Sequence, residues 1–202
     1  MPEAADAAFY FDLASPWAYL AAERVLSVLG RPAEWIPVLA RELPAGETFE
    51  GFRCAREADI FRAEVTRRAH DLGLQPVRWP EPFPFDSESA MRVATYARGI
   101  GRAVPFAQAA FRQAYAGGHS LHEIDFVLIA AAACEMHPRA VLQAAQRESI
   151  AQELREQTEQ AAWAGVSDVP AVRLGGQVLI GERAPERAAA HVAAAEGHAF
   201  EP

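Results

Sequence analysis

The sequence predicts a mixed α/β fold in which a small sheet is divided by a helical insertion. A βαβ pattern occupies the first forty residues and a ββα pattern the last forty, and the roughly 45–160 stretch between them has helical periodicity almost throughout.

Ala8–Leu13 is short, aromatic-rich and β-patterned. After the Ala-Ser break, Pro16 opens a segment to Leu29 with Trp17, Leu20, Val25 and Leu29 at helical spacing. Glu34–Leu39 follows Gly30 and Pro32 and again reads as a strand, parallel to the first because the connection returns over the sheet as a right-handed crossover. Helices are expected at Ala55–Leu72, Ser87–Ile100, Phe106–Ala116, Ser120–Glu135 and Arg139–Ala162. WPEPFPFD, residues 79 to 86, reads as a Pro-rich loop with exposed aromatics. Near the end, Gly165 stops a helix, Pro170–Leu174 and Gln177–Ile180 read as a hairpin around Gly175-Gly176, and a helix begins at about Pro185.

At 202 residues, 51% hydrophobic and 23% charged, the chain can bury one substantial core. Its 27 acidic and 19 basic residues give a formal charge of −8 with the bases scattered, so nucleic acid is not an expected partner. No run reaches the roughly 18 apolar residues of a membrane span, and MPEAADAA lacks the basic and apolar regions of a signal peptide. These features lead us to expect a cytoplasmic protein that does not enter a membrane. Cys54 and Cys134 stand far apart, outside any C-x-x-C, and support neither a disulfide framework nor a zinc knuckle. His119 and His122, and Cys134 and His137, are three apart, but no further ligand stands nearby and no metal is expected.

Three segments converge if the two halves form one sheet: Ser15 at a helix start, Ser167-Asp168-Val169-Pro170 before a strand, and the turn Gly181-Glu182-Arg183. Ser15 reads locally as an N-cap with proline at the first helical position, or as a group that holds an anion beside the helix N-terminus. A proline at the start of a strand suggests a cis Val169–Pro170 bond, which frees the Val169 backbone for an extended ligand.

These residues carry a resemblance. The chain is similar to the DsbA-type branch of the thioredoxin superfamily, whose thioredoxin-like mixed four-stranded sheet is interrupted by an all-helical insertion. SPWA stands where that branch has CPWC. Lacking cysteine at 15 and 18, the chain is not expected to act as a dithiol oxidoreductase. Phe9, Phe11, Asp12, Ser15, Pro16, Tyr19 and Leu20 match the opening of the non-redox members, the 2-hydroxychromene-2-carboxylate isomerases and kappa-class glutathione transferases. AGVSDVPAV at 164–172 and DSESAMRVATYA at 86–97 resemble later segments. The resemblance implies a thioredoxin-like domain of residues 1–45 and 160–202 around a helical insertion of 46–159.

It further implies glutathione as cosubstrate or cofactor and a small hydrophobic, aromatic electrophile as substrate. Ser15 would hydrogen-bond the sulfur and is the catalytic residue expected. Pro16, Trp17, Val169, Pro170, Glu182 and Arg183 would line the cofactor, with Val169 pairing its backbone to the cysteinyl part, and Trp79 and Phe83 would wall the substrate. A homodimer is possible, since dimers occur among the relatives. PVLARELPAGETFEG lacks the family's glycine-rich and Gly-Asn features, and Gly181-Glu182-Arg183-Ala184 stands where the family has G-x-D-R, whose acid binds the γ-glutamyl amine. Arg41, Arg53 or Arg183 would serve the ligand's carboxylates. Loss of family contacts admits a different thiol cofactor, or none, and a protein without redox activity that serves as a peptide or protein binding module is the alternative.

Overall fold

Strand β1 (Ala7–Phe11) is buried at every position, which explains an AAFYF composition without polar alternation. It is flanked on one side by β2 (Glu34–Pro37), parallel with Phe9 opposite Trp35, and on the other by β3 (Ala171–Leu174), antiparallel with Phe9 opposite Val172. β3 turns through Gly175-Gly176, both at positive φ as a tight hairpin requires, into β4 (Gln177–Ile180). The sheet order β2-β1-β3-β4 joins the two ends of the chain. The computed structural model describes residues 7–45 and 52–198; MPEAAD, and the GETFEG part of the departure after β2, lie outside the described residues.

Between β1 and β2 the single helix expected over 16–29 is two, α1 (Pro16–Ala22) and α2 (Val25–Leu29). The chain tightens at Arg24, whose N–H reaches back to Ala21 rather than Leu20, while its guanidinium takes the Leu20 carbonyl at 3.0 Å. Gly30, at φ 63°, closes α2. The inserted helices are α3 (Ala55–Asp71), α4 (Glu88–Gly99), α5 (Ala103–Tyr115), α6 (Ile124–Ala132), α7 (Pro138–Gln146) and α8 (Glu148–Trp163), and α9 (Ala184–His198) follows the hairpin. Two further expectations need correction. The helix expected over 120–135 starts at Ile124, because Ser120–Glu123 forms a turn in which the Ser120 carbonyl accepts the Glu123 N–H. The helix expected over 139–162 is divided at Arg147, which is extended at φ −76°, ψ 122° and redirects the chain between α7 and α8.

Alternation along β1 sends Phe9 and Phe11 to one face and Ala8 and Tyr10 to the other. On the first face Phe9 meets Trp35 edge-on at 4.8 Å, and Phe11 meets Trp35 at 5.8 Å and Phe111 of α5 at 5.9 Å. The same core continues into Met91, Phe106 and Leu154 of the inserted helices and Ala184 and Ala188 of α9. The second face is closed by Ala161 of α8, Val166 and Val169. Sheet and insertion thus share one core, and α8 runs unbroken through position 160. Among the described residues no helix is long and apolar enough to cross a membrane.

Phe11 joins the sheet to α5, so Phe11→Ala should lower stability by about 3–5 kcal/mol in urea unfolding. A loss below about 1 kcal/mol would show that the insertion does not depend on this contact.

Candidate functional site

Strand directions bring the three segments to one end of the sheet. Because Tyr10 lies opposite Ala171, the residues after β1 and those before β3 leave the sheet together. β4 ends there as well, with Ile180 opposite Ala171 and the Gly181 N–H donating to the Pro170 carbonyl at 2.8 Å. The Val169–Pro170 bond is cis, as expected from its position, and Glu81–Pro82 and Phe83–Pro84 are cis too.

Ser15 caps α1 from an extended backbone (φ −88°, ψ 114°), and its Oγ accepts the Ala18 N–H at 3.2 Å. Capping uses an oxygen lone pair and leaves the hydroxyl hydrogen to donate. With seven residues α1 is a short dipole, so the hydroxyl itself is the principal handle for an anion here. Ser15 is 1% exposed; a ligand atom reaches it only as neighbouring side chains part, and then meets it in a medium of low dielectric.

The turn before Ser15 is fixed by groups that the sequence reading did not assign. Asp12, 4% exposed, accepts the Ala14 N–H at 2.9 Å and the Ser87 hydroxyl at 2.7 Å on Oδ1, and the Ala40 N–H at 2.9 Å on Oδ2. Burial pushes its carboxyl above the ordinary value of 3.8, against the pull of those bonds and of Arg41. A lone carboxylate inside the apolar run FYFDL was the available signal. Tyr115 of α5 donates its hydroxyl to the Ala14 carbonyl at 2.6 Å and stacks on Tyr19 at 5.4 Å. Burial, with the Glu23 charge, pushes the Tyr19 phenol up to about 12, so it stays neutral.

From Tyr115 an aromatic cluster extends over α1. Trp79 lies 6.3 Å from Tyr115 and 4.8 Å from Phe83, Phe61 lies 6.1 Å from Trp79, and Trp17 meets Phe61 edge-on at 6.0 Å. The Arg62 guanidinium rests 5.7 Å from the Trp79 ring. The expected exposed aromatics of the 79–86 loop are instead packed: Phe83 and Phe85 are 8% and 7% exposed and Trp79 is half-buried, with Phe52 against Phe83 and Phe61 of α3 against both Phe83 and Trp79.

The expected cofactor residues are placed unevenly. Pro16, at the first helical position, offers no N–H beside Ser15, and Trp17 is half-buried on the following residue. The Val169 N–H is taken by the side chain of Asp168 at 2.7 Å, and its carbonyl has no hydrogen-bond partner among the described residues. Glu182 is engaged: Arg24 pairs with its Oε1 and donates to its main-chain carbonyl at 2.8 Å, while Arg68 Nε donates to its Oε2 at 3.1 Å. Arg24 also pairs with Glu186. Of the candidate cations, Arg41 is paired with Glu88 and with Asp86 and Arg53 with Glu57, while Arg183 is exposed. Cys54 is exposed and Cys134 buried, and burial pushes the Cys134 thiol up. His137 caps α7 by accepting the Arg139 N–H at 3.2 Å, and His119 stacks on Phe126. Among the described residues no three His, Cys, Asp or Glu side chains gather as a metal site.

The pattern of the DSBA-like thioredoxin domain family matches residues 8–193. No curated protein matches the chain. Among solved structures, a 2-hydroxychromene-2-carboxylate isomerase is similar at TM-score 0.80 and 18% identity, over 96% of this chain and 97% of its own. A probable DsbA oxidoreductase from Streptomyces coelicolor is similar at TM-score 0.74 and 18% identity, over 97% and 91%. The cytosolic disulfide reductase DsbM from Pseudomonas aeruginosa, solved with GSH, is similar at TM-score 0.62 and 15% identity, over 96% and 99%. At these identities the likeness is one of fold.

Asp12 sets a pH dependence whose sign follows from its burial. A raised folded pKa means that the folded state holds this proton more tightly than the unfolded chain, so the contribution is complete below the ordinary 3.8 and is lost as pH rises through the folded value. Asp12→Asn should therefore flatten the fall in Tm across that window. It should also cost about 1–3 kcal/mol, since an amide NH2 would face the Ala40 N–H. Thermal melts of both proteins from about pH 4 to pH 8 check this, and parallel curves would remove Asp12 as the titrating group.

Proposed function

Since the chain belongs to the DSBA-like thioredoxin domain family, we propose that it is a glutathione-dependent isomerase or transferase acting on a hydrophobic, aromatic electrophile. The observation that carries the reading is Ser15: a buried hydroxyl, its lone pair used in capping and its hydrogen free to donate, at the sheet end shared with cis-Pro170. A serine there holds a sulfur anion without competing as a nucleophile. Similarity to an isomerase of the non-redox branch, and to a reductase solved with GSH, supports the same reading.

The residues present fit the sulfur end of glutathione. Ser15 would donate to the sulfur, the Val169 carbonyl would accept the cysteinyl amide N–H, and Pro16 removes a competing donor. Bound there, glutathione supplies a nucleophilic thiolate to an electrophilic carbon. Ser15 favours the ionised sulfur because its hydrogen bond is stronger to an anion than to a neutral thiol, and the absence of bulk water heightens that preference. The half-buried faces of Trp17 and Trp79 offer an apolar surface to an aromatic substrate, and Phe83 supports Trp79 from behind. Tyr115 and Asp12 hold the Ser15 turn and are positioning residues.

The sulfur's ionisation can be read directly from the ultraviolet thiolate absorbance of glutathione bound to the protein. Wild type should hold the thiolate near neutral pH, and Ser15→Ala should shift its titration alkaline by about one unit, the equivalent of about 1.4 kcal/mol. An unshifted titration would remove Ser15 from the chemistry. Tight peptide binding without any thiolate signal would favour the binding module instead.

A further inference from the structure

The thiol reading leaves open which end of the ligand the Gly181–Arg183 turn recognises. An acid at this turn, taken alone, would suit an ammonium group. In this chain, however, the carboxylate of Glu182 is 12% exposed, with Arg24 on one oxygen and Arg68 on the other. A ligand ammonium would have to reach a mostly buried carboxylate between two guanidinium groups that repel it, and displacing Arg24, itself 8% exposed, would leave that buried cation with Glu186 as its other carboxylate partner.

The neighbourhood is also of the wrong sign for an ammonium. Arg68 and Arg183 both lie close enough for their charges to act on Arg24 beside Glu182 and Glu186, and Arg187 adds a further guanidinium against the Ile180 carbonyl at 3.3 Å. On the Val169 side the Asp168 carboxylate accepts the Val169 N–H. Arg183 is exposed there, one residue after Glu182 and within the turn whose Gly181 N–H is bonded to Pro170.

We propose that the turn reads a carboxylate through Arg183 and leaves the amine of the ligand unread, so that the cosubstrate is recognised as a small carboxylate-bearing thiol whether or not it carries an amine. Glu182 is then a buried counter-ion that ties α2 and α3 to the turn, not a ligand anchor. This rests on the thiol reading of Ser15 given above.

Three thiols separate the possibilities by calorimetric titration: glutathione, its analogue lacking the γ-glutamyl amino group, and its analogue with the γ-glutamyl α-carboxylate converted to an amide. Wild type should bind the first two within about threefold of each other and the amide at least about tenfold more weakly. Arg183→Ala should bring glutathione and the amide to similar affinities. Ligand-free Glu182→Gln should melt several degrees lower, as loss of a buried counter-ion requires and loss of a mere ligand contact does not. A tenfold loss on removing the amine would overturn the proposal while leaving the thiol site standing, as would an unchanged Tm in Glu182→Gln. Failure of wild type to bind any of the three would overturn the thiol reading and this inference with it.

Discussion

The buried carboxylate of Asp12 joins three segments that no local interaction brings together. One oxygen takes the Ala14 N–H of the turn leading to Ser15 and the hydroxyl of Ser87 at the start of α4; the other takes the Ala40 N–H after β2. Each of those donors would otherwise be buried without an acceptor, a cost of about 1–3 kcal/mol apiece. An asparagine has one acceptor oxygen where two are used, and an apolar residue has none. Burying a charge is unfavourable in itself, yet here it closes the turn, anchors the loop after β2 and fixes the start of an inserted helix in one move.

That arrangement explains why the insertion belongs to the site. α4 reaches the Ser15 turn through Ser87, and α5 reaches it through Tyr115, whose hydroxyl holds the Ala14 carbonyl while its ring faces Tyr19 and Trp79. α3 lays Phe61 against Trp17 on the first turn of α1. The sheet supplies direction, sending β1, β3 and β4 to a common end, and the inserted helices supply the walls. Displacing any of these helices would move the residues next to Ser15, because Tyr115 bonds the turn backbone, Ser87 bonds Asp12 within the turn and Phe61 packs on Trp17.

Most of the sheet was legible because its signals are local. The Gly175-Gly176 turn requires positive φ, Pro170 at a strand start indicated a cis bond, and Ser15-Pro16 marked a helix start. What escaped has tertiary causes. Nothing in RES at 147–149 breaks a helix; Arg147 becomes extended because α7 and α8 pack on different partners, α7 on α4 and α8 also on β2. The division of 16–29 follows from Arg24 turning toward Glu182 and Glu186, which are 158 and 162 residues away. The burial of Phe83 depends on Phe52 and Phe61. Ser15, Val169 and Pro170 were placed together from sequence, whereas the state of Glu182 depended on Arg68, in a helix that periodicity predicts but does not orient.

One backbone therefore supports different chemistries according to a few side chains. Structures similar to this chain carry the names of an isomerase, an oxidoreductase and a disulfide reductase, and fold alone does not choose among them. Dithiol exchange needs a nucleophilic thiolate and a resolving thiol within reach; positions 15 and 18 here are serine and alanine. Ser15 accepts the helix-cap bond and carries no sulfur, so the turn itself supplies no thiol for exchange. The turn after β4 follows the same logic. Its acid remains, but Arg68 of α3 and Arg24 at the start of α2 each hold one of its oxygens, and the neighbouring Arg183 is exposed. A residue type in the expected place thus says little until its partners are counted, because a mostly buried carboxylate held by two guanidinium groups is a different group from an open one.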